Sequence, residues 1–176
     1  MPPPIPVVLT PYDRNWPLLA ADRIKALEVL GGLLVDVHHI GSTSVPGLAA
    51  KPILDLLAIV TDLPGLDGAR VRVERLGYVW WGEYGIEGRR YCTLDAGGAR
   101  LVQLHCFAES SPEIARHLAF RDYLRDFPEV AAAYELEKRR ARDLHPSDSH
   151  AYGQEKAAWI AKFERVALIW REKSIL

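Results

Sequence analysis

The chain has 176 residues, of which 49% are hydrophobic and 26% are charged, values typical of a globular protein with one domain. Its 22 Lys and Arg residues nearly balance its 23 Asp and Glu residues, so it lacks the basic excess of a protein that binds bulk nucleic acid regardless of sequence. A local basic cleft is compatible with this balance, and small phosphate-bearing ligands such as nucleotides are better candidates than long polyanions.

The N-terminal sequence lacks the basic region and apolar core of a signal peptide, and no apolar run approaches the ~20 residues of a membrane helix. Cys92 and Cys106 are the only cysteines, too few for a disulfide framework or a zinc motif. We therefore expect a cytoplasmic protein outside the membrane, with both thiols buried and reduced.

The first helix is predicted to begin at Asn15, a capping residue, with Pro17 in its first turn. Leu19, Leu27 and Leu30 would lie on its inner side, and a pair of glycines would end it.

Two strands are predicted next, Leu34–Ile40 and Pro52–Val60. The nearly continuous apolarity of the second strand indicates a central strand that is covered on both faces. Residues 62–77 then show helical spacing of apolar residues, and Tyr78–Trp81 is a short strand.

A hairpin follows, with "RRYCTLD" and "RLVQLHCF" as its strands and "AGGA" as its turn. Three helices then begin near Ser111, Pro128 and Ser149, and Ser149 is predicted to cap the third. We expect a single α+β domain over the whole chain, with the sheet in about residues 1–110 and a C-terminal helical layer in about 111–176.

The loop between the first two strands carries residues suited to an anion. Gly41 would let a ligand approach the backbone N–H groups closely, Ser42, Thr43 and Ser44 add hydroxyls, and Lys51 adds a positive charge. The loop does not match the Walker pattern. The alternative interpretation is a tight turn whose hydroxyls bond to their own backbone.

Asp55 interrupts the second apolar strand, where a carboxylate is costly unless it is paired, hydrogen-bonded or bound to a metal. A structural partner such as Lys51, Arg89 or Arg90 would explain it. The alternative is that Asp55 holds a divalent cation that in turn holds a phosphate.

The stretch "HIGSTSVPGLAAKPILD" resembles the signature of the GrpB family, whose fold is similar to the nucleotidyltransferase superfamily of DNA polymerase beta. Weaker matches follow in the family's order over nearly the whole chain: "YDRNW", "GIEGRRY", "QLHCF", "FRDYLRDFPEVAAAYELEK" and "YGQEKAAWI". The resemblance implies a nucleotidyltransferase-like mixed β-sheet with helices and a C-terminal helical layer.

The resemblance also implies which residues form the site. Gly41–Ser42 and Asp55 match the Gly-Ser loop and the first acid of the superfamily's Asp-x-Asp/Glu pair, but Leu57 occupies the second acidic position. The strand expected to carry a third carboxylate offers Gln103 and His105 instead. Such a set would hold at most one divalent ion, Mg²⁺ or Mn²⁺, so the two-metal mechanism is in doubt.

Two functions follow from these observations. The first is binding of a nucleotide or phosphate ester, with nucleotidyl or phosphoryl transfer by Asp55 and one metal ion if the protein is catalytic. The second is a non-catalytic nucleotide-binding or accessory domain with a protein partner, because GrpB-like domains also occur fused to dephospho-CoA kinase. The missing acid at Leu57 favours the second function, and the intact Asp55 with its hydroxyl-rich loop favours the first.

Two histidines are further candidates. His105 is expected near Asp55, where it would either hydrogen-bond that carboxylate or donate to a phosphate, and it could transfer a proton. His39 could reach the same cleft or be a buried structural histidine.

Four more residues complete the predicted site. Of Arg89 and Arg90, which point in opposite directions, one should face the cleft, and the resemblance favours Arg89. Arg121 lies on a charged helix face and either forms ion pairs or reaches a phosphate. Tyr152 and Lys156 are four residues apart on the last helix and could both face the site.

Overall fold

The computed structural model describes residues 1–174, which form a five-stranded mixed sheet with helices on both faces. The strands are β1 (Leu34–Ile40), β2 (Leu54–Val60), β3 (Tyr78–Trp80), β4 (Arg89–Ala96) and β5 (Ala99–Ala108). The helices are α1 (Trp16–Ala26), α2 (Leu63–Gly68), α3 (Arg70–Arg75), α4 (Pro112–Asp126), α5 (Pro128–Leu144) and α6 (Ser149–Ser174). Short 3₁₀ helices span Leu27–Leu33 and Ser42–Ser44.

The strand order is β1-β2-β5-β4-β3, with only the β2–β5 pair parallel. This register aligns one row of residues across the sheet, at the end where the loop after β1 leads into β2. Ile40 pairs with Asp55, and Asp55 pairs with Gln103. In the next row, Leu57 pairs with His105. Because side chains alternate between the faces of a sheet, Asp55 and His105 emerge on the same face.

The two faces of the sheet are covered by different helices. Leu54, Leu56, Ala58 and Val60 of β2 belong to the main apolar core with α1, the following 3₁₀ helix, α2 and α3. On the opposite face, smaller apolar clusters join the sheet and the loop after β1 to α4, α5 and α6. This second face also carries Asp55, so the helical layer lies over the predicted site.

The α+β architecture with a C-terminal helical part is confirmed, and β1 has the predicted bounds. β2 is buried on both faces as expected, although it is second in the sheet while β5 is central. The predicted inward orientation of Leu19 is wrong, because this side chain is 50% exposed. Within α1 the buried residues are Trp16 and Ala20, and Leu19, one residue before Ala20, projects roughly 100° away from it around the helix axis.

The N-terminus of α6 differs from the prediction in one detail. The side chain of Asp148 accepts from the backbone N–H groups of His150 and Ala151 (2.8 and 3.1 Å) and caps the helix. Ser149, the predicted cap, instead accepts from the backbone N–H of Ile5 (3.1 Å). Within residues 1–174, no helix has the length and apolarity needed to cross a membrane.

Candidate functional site

Gly41 and Asp55 are in direct contact where the chain leaves β1 and re-enters the sheet in β2. Gly41 has φ 69° and ψ −173°, a combination that is open essentially to glycine alone. A Cβ atom built on Gly41 would lie 2.3 Å from Oδ2 of Asp55, far inside any van der Waals contact. The carboxylate therefore lies directly beneath the loop, and loop and acid form one structural unit.

The loop is held in place by its own hydrogen bonds and by α4. The Ser44 hydroxyl donates to the carbonyl oxygen of Gly41 (2.6 Å), and Nε2 of His39 lies 2.8 Å from Oγ1 of Thr43. Arg125 donates through Nε and Nη2 to the carbonyl oxygen of Ser44 (2.9 and 2.8 Å). Burial lowers the pKa of His39 to about 4, so its ring is neutral near pH 7. His39 and Ser44 line neither of the two cavities beside Asp55.

A cavity of about 860 Å³ lies between the Asp55 face of the sheet and helices α5 and α6. Its wall contains one carboxylate, Asp55, and five cationic side chains, so we call it the cationic cleft. The cations are Lys51, Arg89, Arg100, Lys138 and Lys156. The predicted site residues on its wall are Gly41, Ser42, Thr43, Lys51, Asp55, Arg89, Tyr152 and Lys156.

The charged residues that are buried within residues 1–174 are all cations, and all of them line the cationic cleft. They are Arg89 (5% exposed), Arg100 (7%), Lys138 (1%) and Lys156 (9%). Arg89 donates to the carbonyl oxygens of Glu83 (3.1 Å) and Tyr84, and Arg100 pairs with Asp95 (2.9 Å). Both guanidinium groups are thus fixed in the wall by the loop before β4 and by the β4–β5 hairpin.

The two buried lysines lie against aromatic rings. Lys138 donates to the carbonyl oxygen of Ala49, and its Nζ is 5.1 Å from the Tyr134 ring centroid. Nζ of Lys156 is 3.4 Å from the Tyr134 hydroxyl and 4.0 Å from the Tyr152 ring centroid. Burial lowers the pKa of each lysine to about 7, and for Lys156 the charges of neighbouring lysines add to this effect. Both amines are therefore partly neutral near pH 7.

Asp55 does not pair with the cations proposed as its structural partners. Among residues 1–174, neither Lys51, Arg89 nor Arg90 lies within 4.0 Å of its carboxylate. Arg90 points away and pairs with Asp67 (2.6 Å), while Arg89 faces the cleft. The described residues also contain no hydrogen bond to the Asp55 carboxylate, which leaves its oxygens available to a ligand.

His105 links Asp55 to Arg89. Nη1 of Arg89 lies 3.4 Å from Nδ1 of His105, and Nε2 of His105 lies 3.7 Å from Oδ1 of Asp55. A guanidinium group can only donate hydrogen bonds, so Nδ1 must accept and the ring proton of a neutral His105 sits on Nε2. Nε2 faces Asp55, and His105 lines the smaller cavity on the other side of that carboxylate.

A second cavity, of about 190 Å³, lies on the α4 side of Asp55 and shares Gly41, Ser42, Asp55 and Tyr134 with the cationic cleft. We call it the small lobe; the rest of its wall is Ile40, His105, His117, Phe120, Arg121, Leu124, Ile160 and Glu164. Arg121 bonds to Asp122 (2.7 Å) and to the carbonyl oxygen of His39 (3.3 Å). Arg121 therefore shares the small lobe with Gly41 and Ser42, but it does not line the cationic cleft with the other predicted cations.

The residues around Asp55 do not fit a resident two-metal centre. The described part of the chain contains no group of three His, Cys, Asp or Glu side chains that could hold a metal ion. Leu57, at the second acidic position, is fully buried, and Gln103 lines the cleft in place of a third acid. If Nδ1 of His105 accepts from Arg89, the ring proton of the neutral form is on Nε2, the nitrogen nearest Asp55, and this tautomer has no lone pair there for a metal ion. Asp55 is the single anionic ligand that the cleft offers to a cation.

Among the cleft residues that the sequence did not predict are two cations and a tyrosine, Arg100, Lys138 and Tyr134. Lys138 lies in the charged run "YELEKRRARD", which is typical of a solvated helix face. One signal was present, however, because "YELEK" of α5 and "YGQEK" of α6 share the pattern Tyr-x-x-Glu-Lys. Tyrosine and lysine four residues apart lie on the same helix face, and in both helices that face lines the cleft.

Comparison with known proteins gives a consistent family assignment. The model of the family described as GrpB protein matches residues 6–165. The chain is 36% identical over 162 residues to the UPF0157 protein YqkA of Bacillus subtilis. The aligned region covers 92% of this chain and 47% of YqkA. The chain thus spans about half the length of that relative. It is also 27% identical to a dephospho-CoA kinase of Mycolicibacterium paratuberculosis, covering 96% of this chain and 48% of the kinase.

Solved structures agree with the fold. The crystal structure of the conserved protein GrpB from Enterococcus faecalis superposes with a TM-score of 0.87 at 38% identity, covering 93% of this chain and 99% of that one. A structure of Cid1 in complex with its short product ApU gives a TM-score of 0.52 at 15% identity, covering 76% of this chain and 43% of Cid1. The second likeness supports a nucleotidyltransferase-like fold and nothing beyond the fold.

The contact between Gly41 and Asp55 predicts a coupled effect of mutations. Gly41→Ala should destabilise the protein by more than the ~1–2 kcal/mol expected from an unfavourable backbone conformation alone, because the new methyl group collides with the carboxylate. In an Asp55→Ala background the contacts with Oδ2 (2.3 Å) and Cγ (2.9 Å) are absent and only the contact with Cβ (2.9 Å) remains, so Gly41→Ala should cost less. Urea denaturation of the four proteins measures this coupling as a double-mutant cycle. Equal costs of Gly41→Ala in both backgrounds would show that the two residues are not in contact.

Proposed function

The chain belongs to the GrpB family, and we propose that its cationic cleft binds the phosphate groups of a nucleotide or another small phosphate ester. The observation that carries this proposal is the burial of four cations around one cavity that contains a single carboxylate. A buried charge is costly unless it is paired. An anionic ligand would supply the missing charge, and a phosphate accepts several charge-assisted hydrogen bonds at once.

The polar groups of the cleft suit a ligand that extends beyond one phosphate. Lys51, Lys138 and Lys156 lie on the helical side and at the loop, while Arg89 and Arg100 lie on the sheet side. The rings of Tyr84 and Tyr91 stack 5.0 Å apart in the sheet-side wall. An aromatic surface beside clustered cations can hold a base or another flat group next to the phosphates.

Nucleotidyl or phosphoryl transfer is a second candidate function, favoured by one observation. The Asp55 carboxylate faces the cleft with no hydrogen bond from the described residues, and a divalent ion carried in by the phosphates of a nucleotide could bind it. The buried Leu57 and the neutral Gln103 count against this function, since the fold's usual carboxylates are missing. We therefore place ligand binding ahead of transfer.

An accessory role is the third candidate. The relative from M. paratuberculosis is described as a dephospho-CoA kinase, and the region similar to this chain is 48% of its length. In such a protein, a phosphate-binding domain beside a kinase would bind a substrate or product of the neighbouring domain. Coenzyme A precursors are therefore included among the ligands to be tested.

Replacing both buried lysines tests the cleft directly. The double variant Lys138→Met with Lys156→Met removes two cations and keeps side chains of similar length. We expect its affinity for ATP or pyrophosphate to fall at least about tenfold, because hydrogen bonds from charged groups contribute about 1.5–3 kcal/mol each. Calorimetry measures the affinity, and thermal shift gives a second readout, since a ligand at ten times its Kd stabilises the fold by ~1.4 kcal/mol.

Lys162→Met, at an exposed position of α6, is the matched control. Unchanged affinity in the double variant contradicts the proposal.

Substitution of Asp55 separates binding from metal-assisted transfer. Thermal shift is measured with nucleotides and coenzyme A precursors, each with and without Mg²⁺ or Mn²⁺, on wild type and Asp55→Asn. We expect stabilisation that persists in Asp55→Asn without metal, because the cations hold the phosphates. If the thermal shift instead requires metal and disappears in Asp55→Asn, the ion binds at Asp55 and transfer becomes the favoured function. A complete lack of stabilisation by these ligands argues for an interaction domain.

Burial lowers the pKa values of Lys138 and Lys156 to about 7 each. We therefore expect the stability of the ligand-free protein and its affinity for an anion to change in opposite directions as pH rises. Without ligand, the unfolded chain binds more protons than the folded one between pH ~7 and ~10.5, so stability should rise with pH in that window. Binding of an anion requires the protonated amines, so affinity should fall as pH rises through ~7. Sulfate is the suitable probe because its charge is constant in this range. Affinity for sulfate that does not change between pH ~6 and ~9 contradicts this prediction, and the Lys138→Met, Lys156→Met variant should show a flatter profile.

A further inference from the structure

Three of the chain's six lysines, Lys51, Lys138 and Lys156, lie on the wall of one cavity. Nζ of Lys51 and Nζ of Lys156 both lie over the Tyr152 ring, 5.4 and 4.0 Å from its centroid. Nζ of Lys138 and Nζ of Lys156 both lie over the Tyr134 ring, at 5.1 and 5.6 Å. Lys156 is therefore the central member of the group, with a cationic neighbour on each side.

None of these amines has a carboxylate partner. The ion pairs among residues 1–174 are made by arginine and histidine, and no carboxylate oxygen lies within 4.0 Å of a lysine Nζ. Lys138 is held by its hydrogen bond to the carbonyl oxygen of Ala49. Lys156 has only the Tyr134 hydroxyl, at 3.4 Å, so its nitrogen is the less constrained of the two buried amines. Desolvation next to other cations is the arrangement that turns a lysine amine into a nucleophile.

We propose that Lys156 forms an imine with small aldehydes or ketones that carry a phosphate group, so that the cationic cleft can capture such compounds covalently. The inference rests on the proposed function, because Lys51, Arg89 and Arg100 would hold the phosphate while the carbonyl carbon reaches Lys156. It goes beyond that function by assigning one amine as the reactive group. Burial and the adjacent cations lower the pKa of Lys156 to about 7, which supplies a large neutral fraction at physiological pH.

The reaction needs no oxidant, reductant or metal. The lone pair of the neutral amine attacks the carbonyl carbon to give a carbinolamine, in which the former carbonyl oxygen is a hydroxyl. Nitrogen then loses its second proton, the C–O bond breaks and the oxygen leaves as water, so that a C=N bond remains. The Tyr134 hydroxyl, which burial keeps protonated by raising its pKa, lies 3.4 Å from Nζ and can hydrogen-bond to the departing oxygen.

Pyridoxal 5′-phosphate is the probe, since it joins an aldehyde to a phosphate and its imine absorbs visible light. The wild-type protein is mixed with the probe, reduced with sodium borohydride to fix the imine as a secondary amine, and analysed by peptide mass spectrometry. We expect labelling at Lys156 to saturate at one equivalent, at a probe concentration about tenfold below that needed to label the exposed Lys162. In Lys156→Arg, which keeps a cation but has no nucleophilic amine, that saturable label should be lost; in Lys162→Arg it should be retained.

Two comparisons separate this inference from the proposed function. Thermal stabilisation by ATP or pyrophosphate is measured on the same wild-type preparation, and pyridoxal without phosphate is tested beside the phosphorylated probe. Phosphate binding without preferential labelling of Lys156 overturns the inference and leaves the proposed function intact. Equal labelling of Lys156 by both aldehydes, with no stabilisation by phosphates, supports a reactive amine and contradicts the phosphate site. Label distributed evenly over the six lysines, with no stabilisation by phosphates, overturns both.

Discussion

Four cationic side chains are buried within residues 1–174 of this fold, and burying a charge is costly. Arg89, Arg100, Lys138 and Lys156 are buried around one cavity, and of the four only Arg100 has a carboxylate partner in the described structure. The other three contact backbone carbonyl oxygens or aromatic rings instead. Such contacts replace only part of the hydration lost on burial. The ligand-free protein therefore carries an electrostatic strain that an anion in the cleft would relieve, and the remaining core must stabilise the fold against it.

The apolar core can stabilise the fold against this cost because the two faces of the sheet differ: one packs in the main core and the other lines the cleft. One face of β2 packs into a continuous hydrophobic layer with α1 to α3, which supplies most of the burial. The other face is interrupted by Asp55 and His105 and leaves a gap beneath α5 and α6. The gap is polar because Gly41 brings the loop down onto the carboxylate. Site and core are thus formed by alternate residues of the same strand.

Local sequence patterns predicted the strands, and they marked Asp55 and the loop after β1 as candidates for a site. The run "PILDLLAIV" indicated a strand buried on both faces, and Asp55 stood out because a carboxylate is out of place there. Arg100, Lys138 and Tyr134 were missed for a different reason. Their position in the cleft depends on how α5 and the β4–β5 hairpin pack against the sheet, and a charged residue in a charged run carries no signal of burial. The failure at Leu19 was local, since this leucine lies beside the buried stripe of Trp16 and Ala20 and not on it.

The repeated pattern Tyr-x-x-Glu-Lys separates lysines, which face the cleft, from glutamates, which do not. In both helices the tyrosine ring lies under a lysine amine, while Glu137 pairs with Arg140 on the outer face and Glu155 pairs with the same arginine. The glutamates thus tie α5 to α6 and stay out of the cleft, although each directly precedes a buried lysine. This separation keeps carboxylates away from the amines, which lets burial lower their pKa values instead of an ion pair raising them. An anion that entered such a cleft, as proposed, would meet lysines already in its wall, whereas a cation would meet one carboxylate, Asp55, with the neutral Leu57 and Gln103 beside it on the same face of the sheet.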